Sequence, residues 1–400
     1  MSFDTHKWET VALNAVCSYI SRGITPSYTE TNGVMVINQK CIRDKMVSFE
    51  HVKYTDPNKR KIPEDKYLRK YDILVNSTGV GTLGRVAQIR KLDKPCTVDS
   101  HVTIVRPNGT VNPVYLGYAI IAQQKRIEEM GEGSTGQIEL SRKRLAEEIF
   151  VNIPSKREQD ELAKLLVSLD DKIELNNAIN KNLEEMAQAL FKHWFVDFEF
   201  PNENGEPYKS SGGEFVESEL GLIPKGWRIA TLGEIVEIAS GRRPSARQDE
   251  PSSECSIPLI GASGIMGYVT DALYDEPIIV TGRVGTLGVV KRYRQKCWPS
   301  DNTLVIRSRY FEFVYQQMKQ IDIKSLNRGS TQPLVSQTDL KNVKFIMPEI
   351  DIMKKFESVV SSFYILIEKN IGENDRLRQI RDTLLPKLMS GEIRVPVEKN

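Results

Sequence analysis

The feature that most constrains this chain is that its sequence repeats itself once. Trp8, Leu13 and Val16 recur as Trp227, Leu232 and Ile235, and Gly23-Ile-Thr-Pro-Ser27 recurs as Gly241-Arg-Arg-Pro-Ser245. Val80-Gly-Thr-Leu-Gly84 returns as Val284-Gly-Thr-Leu-Gly288, Gly133-Ser-Thr135 as Gly329-Ser-Thr331, and Pro154 as Pro348. The matches keep their order, at separations that fall from 219 to 194 residues. An ordered series of this kind means two structural copies, so any fold assigned to the first half must be assigned to the second. The separation drops from 218 to 204 before the Gly-Thr-Leu-Gly stretch, so the first copy carries extra chain there. Lys53–Lys70 is the candidate, and it reads equally as a solvated loop or as a basic contact loop.

Each copy divides again. Short apolar runs such as Ile73-Leu-Val75, Val102–Val105, Ile278-Ile-Val280 and Leu304-Val-Ile306, broken by Gly and Pro, predict a mostly β module with a few helices. A helical part follows. Leu162, Leu166, Leu169, Ile173, Asn176, Asn180, Leu183, Ala187, Leu190 and Trp194 recur at alternating spacings of four and three. Phe356, Val360, Phe363, Ile367, Asn370, Asn374, Leu377, Arg381, Leu384 and Leu388 repeat that seam with a shift of 194. A 3.5-residue period held over several heptads is a coiled-coil signal. Two asparagines near the middle of each seam need polar partners, which favours the two helices pairing with one another over each packing on its own β module. The class is therefore α+β. The reading divides it into a first β module (1–152), a first helix region (153–200), a Gly/Ser/Glu-rich linker (201–222), a second β module (223–347) and a second helix region with its tail (348–400).

Composition then removes whole classes of function. The 400 residues hold 55 basic and 53 acidic side chains, but residues 1–150 carry 22 against 17, residues 151–222 carry 7 against 15, and residues 223–345 carry 17 against 12. Two mildly basic modules flank an acidic segment. No apolar run is long enough to span a membrane, and the first residues lack the basic and apolar regions of a signal peptide. Five scattered cysteines and four scattered histidines give neither a disulfide framework nor a zinc site, which leads to the expectation of a cytoplasmic protein without a metal.

The motifs point away from catalysis. Gly79-x-Gly81-x-x-Gly84, with Asp99 downstream, satisfies a dinucleotide pattern, yet Arg85–Ile89 alternates like a strand where a helix N-terminus would be needed. In the second copy, Arg283 stands in the aligned place of the first glycine. There is no Gly-Lys-Ser/Thr, and Pro63-Glu-Asp-Lys66 has no counterpart in the second copy. What remains is a pair of readers with donors suited to DNA. Arg22, Lys40, Arg43, Arg242, Arg243, Arg283, Lys291, Arg292 and Arg294 match phosphates or guanine, and Ser77, Thr78, Thr135, Gln137, Ser330, Thr331 and Gln332 match other base edges.

Leu74–Arg85, Gly329-Ser-Thr-Gln332, Ile153-Pro154 with Arg157-Glu-Gln159, His193–Phe198 and Glu219-Leu-Gly221 leading to Trp227, taken in this order, resemble the DNA-specificity (S) subunits of type I restriction–modification systems. The resemblance covers nearly the whole chain. It implies two α/β target-recognition domains separated by two long antiparallel coiled-coil helices, each domain reading one half of a bipartite asymmetric site on double-stranded DNA. It also implies two methyltransferase (modification) subunits recruited through the helices and two restriction subunits bound through them. S-adenosylmethionine, ATP and magnesium then belong to those partners, and the chain has no cofactor or catalytic residue of its own. Asn176, Asn180, Leu183, Asn370, Asn374 and Leu377 are the expected helix-pairing residues. A stand-alone DNA-binding protein or a coiled-coil adaptor without methyltransferase partners is the alternative. A fragment ending near Glu219 has one reader and one helix, and the repeat leads one to expect that it pairs with itself.

Overall fold

The computed structural model describes residues 7–30, 33–133 and 138–396. They form two compact units, one of residues 1–175 with 372–400 and one of residues 176–371. This partition differs from five consecutive segments because each long helix contributes to both cores.

The centre of the first unit is a four-stranded antiparallel sheet in the order Cys17–Arg22, Val102–Pro107, Ile73–Asn76, Val86–Gln88. The second unit has the same sheet in the same order, from Glu237–Ser240, Thr303–Arg307, Ile278–Gly282 and Val290–Tyr293. The short apolar runs of the sequence are continuous because both faces of these sheets are buried. In the first unit Ile73, Val75, Val86 and Val105 enter one core with the helix Pro113–Ile121, whereas Leu74, Ala87, Val102 and Ile104 enter another. That second core lies beneath a smaller sheet in which Val34–Ile37 pairs parallel with Cys96–Val98. The second unit repeats the division. Ile279, Leu304 and Ile306 face a helical core, and Ile278, Val280 and Val305 face the smaller sheet of Ile257–Gly261, Gly264–Val269 and Trp298–Pro299.

The seams form helices over Lys156–Phe191 and Ile350–Ser390, 36 and 41 residues long. At ~1.5 Å per residue they measure about 54 and 61 Å. The helices pair antiparallel within each unit. In the first, Arg381 Nη1 donates to Asp170 Oδ1 at 2.8 Å. In the second, Asn370 Nδ2 donates to Asn180 Oδ1 at 2.8 Å, and the Phe191 and Phe356 rings lie 5.8 Å apart. Asn176 and Asn374 are buried, while Leu183 and Leu377 are half-buried.

The expected linker is ordered structure. Phe200 stacks between Tyr208 and Trp227, each at 4.6 Å, and Phe215–Ser218 forms a hairpin with Gly221–Pro224. Its aromatic residues Tyr208 and Phe215, together with the adjoining Phe200, give this Gly/Ser/Glu-rich segment a packed core.

Candidate nucleic-acid interface

In both units, loops leaving the ends of the central strands meet along one edge, held by the same backbone hydrogen bonds. In the first unit Gly23 N donates to Val102 O (3.0 Å), Ser77 N to His101 O (2.8 Å) and Leu140 N to Ser77 O (2.8 Å). In the second, Gly241 N donates to Thr303 O (3.1 Å), Arg283 N to Asn302 O (2.8 Å) and Val335 N to Arg283 O (2.9 Å). Four loops are thereby brought side by side in each copy. Loops fixed on a rigid sheet are the usual carriers of recognition residues.

These bonds also correct an alignment. Arg283 occupies the place of Ser77, not that of Gly79, because the second copy's glycine turn is two residues shorter. In the first copy the turn closes with Gly84 N donating to Asn76 O at 2.8 Å. Gly79 has φ +103°, and a Cβ there would lie 2.3 Å from Gln39 Oε1 and from Thr82 Oγ1, so this position needs glycine. The turn is a β connection that projects Val80, 77% exposed, and no helix follows it.

The first unit's edge carries Lys40, which is exposed, and Thr78, whose Oγ1 lies 2.6 Å from His101 Nδ1. Asp99 sits beneath, accepting from His101 N at 3.0 Å, with burial raising its carboxyl above the ordinary range. Arg22 is committed to Leu140 O at 3.0 Å and to Glu139, and so braces the edge. Thr135 and Gln137 lie outside the described residues. The basic insertion has two parts. Lys59, Arg60 and Lys61 are exposed beside this edge, because Asp56 N donates to Ser27 O at 2.9 Å. The rest is packed structure: Tyr19 Oη donates to Asp65 at 2.7 Å, and Lys66 Nζ to Ser21 Oγ at 2.7 Å.

The second unit's edge carries three arginines. Arg242 and Arg243 are exposed on a loop anchored by Trp298 Nε1 donating to Arg242 O at 2.7 Å. Arg283 is half-buried next to exposed Asn302, and Gly285 N donates to Pro333 O at 3.0 Å. That bond holds the exposed Ser330-Thr331-Gln332 tip against the glycine turn. Asn327 shapes the tip by accepting from Gly329 N and Leu334 N, both at 2.9 Å.

Several expected residues are not on this edge. Ser77 is fully buried, its hydroxyl 2.5 Å from Thr103 Oγ1, and supports the loop without reaching a base. Arg292 is a second correction. Its guanidinium lies 3.7 Å from the Tyr364 ring centroid and 2.9 Å from the buried Glu312 carboxylate, so it joins the strand to the long helix. Arg294 stands 4.0 Å from the same carboxylate, and Lys291 Nζ donates to Ser263 O at 2.6 Å. Arg43 turns towards the second long helix, lining a concavity with Lys45, Arg85, Arg378 and Arg381. Gln39, His101, Asn302 and Asn327 escaped sequence reasoning, although His101 and Asn302 immediately precede the matched strands Val102–Val105 and Thr303–Ile306.

Among the described residues no three His, Cys, Asp or Glu side chains converge to hold a metal ion. Burial pushes the Cys17 and Cys96 thiols up to about 12 and Cys297 to about 11, so they are protonated and poor nucleophiles at neutral pH. No helix of the described residues is long and apolar enough to cross a membrane.

Comparison with known proteins agrees with this architecture. The family model for the type I restriction modification DNA specificity domain matches residues 5–185 and again 224–379. The MjaIX specificity subunit of Methanocaldococcus jannaschii is 27% identical over 384 residues, covering 88% of this chain and 85% of the relative. The HindI specificity subunit of Haemophilus influenzae is 25% identical over 473 residues, covering 96% and 99%. The crystal structure of an S subunit from M. genitalium superposes with a TM-score of 0.56 at 17% identity, covering 97% of this chain and 98% of that one.

Proposed function

The chain belongs to the type I restriction–modification DNA-specificity family, and from that premise we propose that it selects the DNA sequence on which a modification and restriction complex acts. Each loop edge reads one half of a bipartite site on double-stranded DNA. One observation carries this reading: the two edges share a hydrogen-bonded frame but differ in side chains, with His101 of one replaced by Asn302 of the other and Arg283 half-buried where the first has the fully buried Ser77. A shared frame with different donors is what two unlike half-sites require. On this reading Arg242, Arg243, Arg283 and Lys40 meet phosphates or guanine, and Thr78, Ser330, Thr331 and Gln332 meet base edges.

The long helices support a second role, as the scaffold for two methyltransferase subunits, through which two restriction subunits join. Leu175, Met186, Ile365, Ile371 and Ile380 are 47–57% exposed on them, an unusual apolar content for solvated helix faces. The chain is a non-catalytic cytoplasmic subunit, and S-adenosylmethionine, ATP and magnesium are bound by its partners. The test is to purify the chain with its partner methyltransferase and measure methyl transfer to a random-sequence DNA library. Methylation confined to one two-part motif is expected. Equal methylation without the chain present would refute the role.

A further inference from the structure

We infer that buried charges make the two halves of this chain partners only for each other, so that neither half assembles with a second copy of itself. The internal shift of 194 residues gives each position on one long helix an equivalent on the other. In the first unit two such positions on the first helix are acids and face arginines. Glu158, fully buried, accepts from Arg394 Nε at 2.5 Å and Nη2 at 2.8 Å, and Asp170 accepts from Arg381 at 2.8 Å. Their equivalents in the second unit are uncharged. Glu158 corresponds to Ile352, Asp170 to Tyr364, Arg381 to Ala187 and Arg394 to Phe200. The structure supports this correspondence directly, since Arg394 lies over Trp8 at 5.0 Å where Phe200 stacks on the repeated Trp227 at 4.6 Å.

The consequence follows from the antiparallel register. If the N-terminal half paired with a copy of itself, each Glu158 would meet Phe200 and each Asp170 would meet Ala187. Trp8 Nε1, at 3.1 Å from Glu158, and Tyr118 Oη, at 2.6 Å from Asp170, would still donate, but both are neutral. Arg90 also acts on Asp170 through space, but its hydrogen bonds go to Asp171 at 3.0 Å and Glu174 at 2.6 Å. Four buried carboxylates would therefore lose the arginines that face them. A pair of C-terminal halves would set the buried Arg381, left with only Asp382 of its own helix at 2.9 Å, and the half-buried Arg394 against Tyr364 and Ile352. Removing one partner of a buried ion pair is far more costly than any gain from the pair itself, which makes it a device for excluding wrong partners.

Shape reinforces charge. The first reader packs on Leu385, Leu388 and Met389, and the second on Phe191, Trp194 and Phe195, which stand at the equivalent positions. Self-pairing of the N-terminal half would force three large aromatic rings into a pocket built for aliphatic chains. The inference does not depend on what the readers bind, and it replaces the expectation that a fragment ending near Glu219 pairs with itself.

The experiment uses the full chain with a protease site inserted at the exposed turn between Asn204 and Gly205. The folded protein is cut, cycled through urea, returned to native buffer and counted by native mass spectrometry. Unlike pairs should exceed like pairs by on the order of tenfold or more. A random one-to-two-to-one mixture would overturn the inference. The same chain carrying Glu158→Gln, Asp170→Asn, Arg381→Gln and Arg394→Gln isolates the charges. Like pairs should increase relative to the unsubstituted protein, and an undiminished preference for unlike pairs would show that buried charge is not its cause.

Discussion

Replacing Asp72 by Ala should damage the first reader far more than any comparable change at the equivalent place in the second. Asp72 is fully buried and binds Arg106 at two points, Nε to Oδ1 at 2.8 Å and Nη2 to Oδ2 at 2.7 Å. Arg106 is itself 7% exposed, donates to Tyr67 O at 2.9 Å and stacks over Tyr19 at 5.2 Å. The pair fastens the end of the basic insertion to the central sheet. In the second copy Arg307 takes the position of Arg106 but pairs with Glu237 and Glu276 at the surface. Asp72→Ala leaves a guanidinium buried without its anion, at a cost of about 3–5 kcal/mol, whereas Arg307→Ala breaks only exposed pairs worth roughly 0–1 kcal/mol. For a unit of about 200 residues, 1 kcal/mol corresponds to a shift of roughly 2–4 °C in Tm, so Asp72→Ala should lower melting by about 6–20 °C. Differential scanning calorimetry measures the shift, and hydrogen exchange at Ile73–Asn76 against Ile278–Gly282 assigns it to the first unit. Asp72→Leu combined with Arg106→Met should cost less than Asp72→Ala alone, since no charge is then stranded. An Asp72→Ala protein that melts within a degree or two of Arg307→Ala would refute the reasoning.

Three further outcomes follow from the same geometry. DNA affinity of the assembled complex should fall steeply with added salt, and Arg242→Ala or Arg243→Ala should weaken binding at the second half-site, while Arg292→Ala lowers stability in thermal melts and leaves the recognised sequence unchanged. Burial pushes the Glu312 carboxyl up to about 7, so its protonated form is favoured in the folded state. The stability it contributes is full below its ordinary carboxylate range and is lost as pH rises through 7. Urea titrations should therefore show Glu312→Gln destabilising the chain less at pH 8 than at pH 5, and the opposite order would contradict the assignment. A heptad inserted after Asn180 and another before Asn370, which face one another, adds ~10.5 Å to each helix and preserves seam phase. The unread spacer in the methylated motif should lengthen by up to about three base pairs, and an active variant with the original spacer would show that the helices do not set it.

The duplication, the central strands and both long helices were legible because each rests on local periodicity read twice. Contacts between distant segments were not. Arg292, within Lys291-Arg-Tyr-Arg-Gln-Lys296, looks like part of a basic surface patch, and only the fold brings Tyr364 and Glu368 over it. Leu183 and Leu377 are equivalent by the 194-residue shift, yet equivalence under the repeat is not contact. In an antiparallel pair, Asn180 meets Asn370 instead of Asn374. The matching glycines align Arg283 with Gly79, and only the hydrogen bonds of the sheet reveal the two-residue shortening that puts it at Ser77. Gln39 and Asn302 carried no signal beyond their position beside a strand, since loop polarity alone does not say which loops meet.

The central claim is that each loop edge independently reads half of one DNA site, and methylation mapping after a reader exchange tests it most directly. Residues 223–347 are replaced by the matching segment of a relative with a different target, and the chain is expressed with its partner methyltransferase. Methylated positions are then mapped across the host genome. The account predicts a new motif in which one half-site and the spacer are unchanged and the other half-site is that of the donor. A motif altered in both halves, or in neither, would contradict it.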